Sequence, residues 1–266
     1  MVGVVAAAVV AVVLWQLKPA PLREKVPAGS APQASAPAAT ASAPSPEPAV
    51  KFPLEQPAAG AQLTADNLAP VLVELLGRKS ATSFLQLDDF PRRVVATVDN
   101  LGRPHAPSML WPVNPTPGRF TVEERNGAPV IAADNDMRYT PLVLLVESVD
   151  VRRAVDLYTR IYPLLQRAYG ELGYPKSYFN DRLIAVIDQL LATPDAQYPV
   201  QLQLTQVKGP IASERPWVRY QFADPKLEAL SAGQKILLRA GSVNEHRLKS
   251  KLGEFRKELA ARTAKR

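Results

Sequence analysis

The chain has 266 residues, 26 of them proline and none cysteine, and 47% are hydrophobic. Without cysteine, a disulfide framework, a thiolate nucleophile and a thiolate metal site are all excluded. The formal net charge of +7 is concentrated: residues 1–60 carry four basic and three acidic groups, 61–241 twenty and nineteen, and 242–266 eight and three.

Met1 to Leu17 is apolar apart from Gly3 and Gln16, a run at the lower limit of what spans a bilayer as a helix. A cleaved signal peptide is the rival, but Lys18-Pro19 follows directly and each later Ala-Ser-Ala precedes proline. An uncleaved transmembrane anchor over residues 1–17 is therefore expected. Lys18, Arg23 and Lys25 lie after the run, and by charge alone they would keep the body cytoplasmic. Lys18 to Gln62 holds ten prolines and thirteen alanines with almost no bulky apolar side chain. Such a segment buries too little surface to offset its conformational entropy, so residues 18–62 are expected to be a disordered, extended linker.

Composition becomes globular at Leu63. Thr64 or Asp66 opens a helix through Leu68, Val71, Leu72, Leu75 and Leu76. Asp88 opens another through Val94, Val95 and Val98 to Leu101, with Pro91 tolerated in its first turn. Arg103 to Gly118 has five prolines and reads as loop. A hairpin follows, Phe120 to Glu124 and Val130 to Ala133, turning over Arg125-Asn126-Gly127. Tyr139 to Ser148 is a short apolar helix.

The centre of the sequence runs from Asp150 to Pro194. Val151, Ala154, Val155, Tyr158, Ile161, Tyr162, Leu165, Ala168, Tyr169 and Leu172 form one helical stripe. Asp150 can cap its start, Pro163 is expected to kink it, and Gly170 or Gly173 ends it. The second helix runs from about Tyr178 to Thr193 on Phe179, Leu183, Ile184, Ile187, Leu190 and Leu191, and should pack antiparallel to the first. At its start, Asn180, Asp181 and Arg182 suit either a recognition surface or local structure. In the structural reading Asn180 and Asp181 serve first-turn amides while Arg182 pairs with a neighbouring helix, and helix energetics favour it.

Val200 to Val207 and Trp217 to Phe222 read as strands that can join the hairpin in a small sheet. Pro225 to Arg239 reads as one helix closed by Gly241. Ser242 with Glu245 reads as a capping box opening the last helix, which puts Leu248, Leu252, Phe255 and Leu259 on one face. Its basic residues would suit a polyanion or simply a solvated face; the solvated face is expected, and nucleic acid is not an expected partner. The fold class is thus mainly α (α+β), a helical bundle with a small antiparallel β element, over 63–241 and a basic helix at 242–266 packed on it.

Chemistry is hard to find. His105 and His246 sit in no recognisable triad, and no glycine-rich phosphate loop has the required spacing. Asp88-Asp89 and Asp134/Asp136 are paired carboxylates, but both pairs stand at helix starts, where carboxylates are favoured without catalysis. Tyr158, Tyr162 and Tyr169 fall on the buried stripe. No catalytic residue, metal or cofactor is expected.

Several blocks combine into a resemblance: Leu87-Asp88-Asp89-Phe90 with Arg92-Arg93, Thr97-Val98-Asp99-Asn100-Leu101, Pro117-Gly118-Arg119-Phe120, Tyr162-Pro163-Leu164-Leu165-Gln166, Gly173-Tyr174-Pro175, Tyr178-Phe179-Asn180-Asp181-Arg182-Leu183, Phe222-Ala223-Asp224-Pro225 and Leu230-Ser231-Ala232-Gly233-Gln234-Lys235. Together they resemble the bacterial domain-of-unknown-function (DUF) family 3014 over roughly Leu63 to Leu259. The resemblance implies a Gram-negative envelope protein with an inner-membrane anchor, a low-complexity linker and a periplasmic body, and it supplies no activity. Some relatives are described as lipoproteins, which a chain without cysteine cannot match. The expected function is a non-enzymatic envelope interaction or scaffold module, binding an envelope protein or cell-wall polymer. The alternatives are a periplasmic hydrolase using Asp88, Asp89 or Asp181, or a small-ligand carrier. Asp88, Asp89, Arg92, Arg93, Asn180, Asp181 and Arg182 are the candidate surface.

Overall fold

A computed structural model describes residues 49–54, 63–205 and 216–263. The expected span over 1–17 and most of the expected linker lie outside these residues, and among the described ones no helix is long and apolar enough to cross a membrane. The fold is mainly helical, with two small antiparallel sheets.

Leu68, Leu72 and Leu76 repeat every fourth residue, so they stack on one face and bury α1 (Ala65–Leu76). A short α2 (Arg78–Phe84) follows Gly77. In α3 (Phe90–Leu101) every residue from Val94 to Asp99 is buried, and Pro91 sits in the first turn as expected. The loop after it holds one 3₁₀ turn, Ser108–Leu110. The hairpin forms from β1 (Val122–Arg125) and β2 (Ala128–Ile131), in a register that sets Val122 opposite Ile131. Asn126 and Gly127, at φ 52° and 74°, make the turn whose twist suits such hairpins.

α4 (Asn135–Ser148) starts earlier than the apolar run suggested. Asn135 explains the difference: it accepts the Thr121 amide at 3.0 Å and donates to the Ala132 carbonyl at 3.1 Å, fastening hairpin to helix. α5 (Val151–Glu171) opens on Asp150, whose carboxylate accepts the Arg153 amide at 2.9 Å, and it runs through Pro163. α6 (Phe179–Leu191) follows. The expected antiparallel α5–α6 pair is not the organising contact. α3 packs extensively on both helices, and so does α9 (Ser242–Ala261), while α5 and α6 share much less.

β3 (Leu202–Leu204) and β4 (Tyr220–Phe222) pair with Leu202 opposite Phe222. They meet the hairpin through a single bridge, Val130 to Gln201, so two ladders stand where one sheet was expected. Both ladders cover a separate apolar cluster of Phe120, Ile131, Val200, Leu202, Phe222 and Leu238.

The single helix expected over 225–239 is two, α7 (Pro225–Glu228) and α8 (Ala232–Arg239). Ser231 breaks it: its backbone is extended, its hydroxyl accepts the Gln234 amide at 3.3 Å, and Gln234 accepts the Ser231 amide at 3.2 Å. That reciprocal pair is a capping box, so a new helix begins there. The capping box expected at Ser242 and Glu245 does not form. Gly241, at φ 87°, is the N-cap of α9, and Glu245 turns inward to accept from the Tyr198 hydroxyl at 3.2 Å. Leu248, Leu252, Phe255 and Leu259 are buried as expected, but in the main core, against α4, α5 and α6.

α8 passes its neighbours closely. A Cβ at Gly233 would lie 2.5 Å from Leu190 Cδ2 and 3.1 Å from the Leu101 carbonyl oxygen. Gly233→Ala is expected to cost about 1–3 kcal/mol by overpacking. Urea unfolding reads it; an unchanged midpoint would mean that α8 can retreat from α3 and α6.

Candidate functional site

The amino end of α6 sends three successive side chains in different directions. Asn180 is fully buried; it accepts from the Tyr158 hydroxyl at 2.9 Å and donates to the Phe52 carbonyl at 2.8 Å. Asp181 receives two successive amides on its two oxygens, Lys51 at 2.9 Å and Phe52 at 2.8 Å. The Tyr178 hydroxyl accepts the Leu54 amide at 3.0 Å. Residues 49–54 thus lie along the body as a strap, bent at Lys51 and Phe52 over the Asp181 carboxylate, although they fall within the stretch expected to be disordered. Leu54 is buried and bridges antiparallel to Thr263 just beyond α9, while the Arg256 guanidinium lies 5.3 Å from the Phe52 ring. Each such bond contributes roughly 1 kcal/mol net, and those to a carboxylate about 1.5–3 kcal/mol.

The capping role expected of Asn180 and Asp181 is therefore overturned. Gln166 accepts the Phe179 amide at 2.8 Å and the Tyr162 hydroxyl accepts the Asn180 amide at 3.4 Å, so α5 caps α6 from outside. Tyr158 and Tyr162 are held protonated because burial pushes both phenols well above their usual range. Tyr158 therefore acts toward Asn180 as a donor.

Arg182 reaches α3, as expected of a residue pairing with a neighbouring helix. Its Nε is 2.9 Å from Asp99 Oδ1, and its Nη2 donates to the Asp99 carbonyl at 2.6 Å. Arg103 Nη2 meets Asp99 Oδ2 at 2.7 Å, and the Tyr174 hydroxyl donates to the same oxygen at 3.3 Å. Asp99 is buried, so two guanidiniums and a phenol surround one carboxylate at the carboxyl end of α3. The neighbouring carboxylate raises the Arg103 pKa.

Asp88, Asp89, Arg92 and Arg93 gather at the other end of α3. Asp88 and Asp89 are exposed, and Arg92 makes surface pairs with Asp89 at 3.7 Å and Glu171 at 3.4 Å. Arg93 instead fixes the loop: its guanidinium donates to the carbonyls of Asp88 at 2.9 Å, Met109 at 2.8 Å and Trp111 at 3.3 Å. Of the α6 candidates only Arg182 reaches α3, at the end opposite to Asp88, Asp89, Arg92 and Arg93, so the two sets do not merge. Asp134 accepts from the Thr121 hydroxyl at 2.6 Å, a contact that joins hairpin to helix. His105 and His246 are both exposed, and among the described residues no group of three or more His, Asp and Glu could hold a metal ion.

Two clefts open elsewhere. One of about 280 Å³, beside the start of α9, includes Asp136, Tyr198, Arg239 and Ser242; the other, about 210 Å³, lies between α1 and α5 and includes Glu74, Arg153 and Asp156. Neither contains a residue of the candidate surface, and of the paired carboxylates only Asp136 lines one. Tyr158 packs instead on Phe255, and Tyr162 on Tyr178, at centroid distances of 6.1 and 5.3 Å.

Burial pushes the Glu245 carboxyl above its ordinary pKa, partly offset by Lys249 at 3.5 Å. In an acid whose folded pKa is raised, ionisation works against folding. Stability is full below the unfolded value near 4.5 and falls as pH rises through the folded one. Glu245→Gln removes that loss, so its melting temperature should match wild type at pH 4 and exceed it at pH 7. A gap that stays constant between the two would show that ionisation of Glu245 is not the cause.

Sequence reasoning missed Asp99, Tyr178 and the strap. The signals were an acidic residue four before Arg103 amid buried valines, and Phe52-Pro53-Leu54 within an alanine-proline tract. No curated protein and no solved structure matches the chain. The model of the family described as Protein of unknown function (DUF3014) matches residues 90–256, which take in Arg92, Arg93, Asp99 and the amino end of α6 but not Asp88 or Asp89, and the chain belongs to that family.

Proposed function

We propose that this is a membrane-tethered, non-enzymatic module of the cell envelope: an inner-membrane anchor over 1–17, a Pro/Ala-rich linker, and a periplasmic helical body that binds another envelope protein or a cell-wall polymer. The observation that carries this reading is the turn at Ser108–Leu110. Its backbone is pinned, with Arg93 on the Met109 and Trp111 carbonyls and Thr97 on the Leu110 carbonyl at 3.3 Å. Yet Met109 is 78% exposed. Leu110 beside it is exposed as well, and two adjacent apolar side chains on a pinned backbone suit contact with a partner. Met137 and Leu144, two turns apart on one face of α4, are exposed as well.

The test places a photo-crosslinking residue at Met109, or at Glu124 as an exposed control, in the full chain in its own membrane. Adducts from 109 alone are expected, and digestion with a wall hydrolase separates polymer from protein partners. Equal labelling from both positions would remove the support. A reporter enzyme active only in the periplasm, fused after residue 266, should be active; an inactive fusion on a stable chain overturns the placement.

A further inference from the structure

The strap is held by the far side of the sequence. Its hydrogen-bond partners lie 124 to 130 positions away, on the corner before α6 and in α6 itself, and its one bridge is to Thr263. The next described residue after it, Leu63, donates to the Arg160 carbonyl at 3.4 Å, so the chain rejoins the body at α5. Between them run Glu55-Gln56-Pro57-Ala58-Ala59-Gly60-Ala61-Gln62, without a bulky apolar side chain. Eight residues can span at most roughly 26–29 Å, which sets how close the slot of a second molecule must lie to receive the strap.

Recognition is mostly of the strap's backbone. Asp181 takes two consecutive amides, Asn180 gives to the next carbonyl, and Tyr178 takes the amide of Leu54. Pro53 stands at the position from which no donor is required, and Leu54 supplies the buried apolar side chain. A segment with this pattern of donors, proline and apolar residues is present, residue for residue, in every other copy of the chain.

We propose that the slot built by Tyr178, Asn180, Asp181 and Thr263 is an exchangeable binding site for a short bent peptide, and that its ligand in trans is residues 50–54 of a second copy. Two chains trade straps and are joined as a dimer, with the same contacts made between molecules as within one. This does not depend on where the body resides.

The absence of cysteine makes the test direct, because each introduced thiol is unique. Leu54 and Thr263 are bridge partners, and facing residues of that kind have Cα atoms within the span a disulfide accepts. Full-length Leu54→Cys and Thr263→Cys chains, tagged differently, are mixed in detergent and oxidised. The expected product is a mixed disulfide dimer that is absent when Glu124→Cys replaces Thr263→Cys. It should be lost when the Thr263→Cys chain also carries Asp181→Ala, or the Leu54→Cys chain carries Phe52→Pro, which removes a strap donor and the ring that meets Arg256 while leaving every helix residue in place. A single chain with both cysteines should close on itself. If the single chain closes but the mixture yields no dimer above the Glu124→Cys control, the strap is fixed in its own molecule and exchange is overturned. A dimer that survives both Asp181→Ala and Phe52→Pro overturns it too, since its contact then bypasses the slot. Failure of the single chain to close overturns the slot itself.

Discussion

Asp99→Ala is expected to lower the stability of the body by about 3 kcal/mol, the lower part of the range for stripping one partner from a buried ion pair. The carboxylate is 7% exposed and holds Arg182 at 2.9 Å and Arg103 at 2.7 Å. Arg182 is 27% exposed and Arg103 47%, so each guanidinium can regain some water, which keeps the cost from the upper end. Arg182→Ala should cost less, because Asp99 retains Arg103 and the Tyr174 hydroxyl. The double change should cost less than the sum, with a coupling of about 0.5–3 kcal/mol. Urea unfolding of all four proteins measures the cycle. A strictly additive result would mean that Arg182 is held by the Asp99 carbonyl alone and not by its carboxylate.

Asn180→Ala carries the second large effect, about 2–4 kcal/mol. It leaves the buried Tyr158 hydroxyl without its acceptor and removes the donor to the Phe52 carbonyl, and an unmet buried polar group costs about 1–3 kcal/mol by itself. Adding Tyr158→Phe should return part of the loss, since deleting both partners of a buried bond leaves nothing unsatisfied. Amide exchange at Lys51, Phe52 and Leu54 reports the strap separately. It should quicken in Asn180→Ala and stay quick in the double variant, because the Tyr158 hydroxyl bonds to Asn180 and the donor to the Phe52 carbonyl is still missing. Recovery of exchange protection along with stability would mean that the strap is held by the shape of the body and not by the Asn180 amide.

The elements legible in the sequence are those whose signal is local. α1, α3, α5 and α6 declare themselves by apolar spacing, the hairpin by Asn126-Gly127, and the start of α5 by Asp150. What escaped depends on partners distant in sequence. Asn180 and Asp181 are suited to capping by type, and only the approach of Gln166 and Tyr162 from α5 frees them for the strap. Ser231-x-x-Gln234 and Ser242-x-x-Glu245 have the same form, yet the first caps and the second does not. Gly241 already opens α9, and Lys249 and Tyr198 draw Glu245 inward. The break between α7 and α8 was hidden because Ser231 lies inside an otherwise continuous apolar pattern.

The position of α9 has a consequence for how the body is made. This twenty-residue helix supplies Leu248, Leu252, Phe255 and Leu259 to the same core as α4, α5 and α6, and so pairs the latest part of the chain with its middle. Helices synthesised before it emerge with an apolar face uncovered, and contacts of such long sequence separation form late and slowly. Until residues 242–261 have been made, the core cannot close. A chain still on the ribosome without residues 242–261 thus leaves the apolar faces of α4, α5 and α6 uncovered.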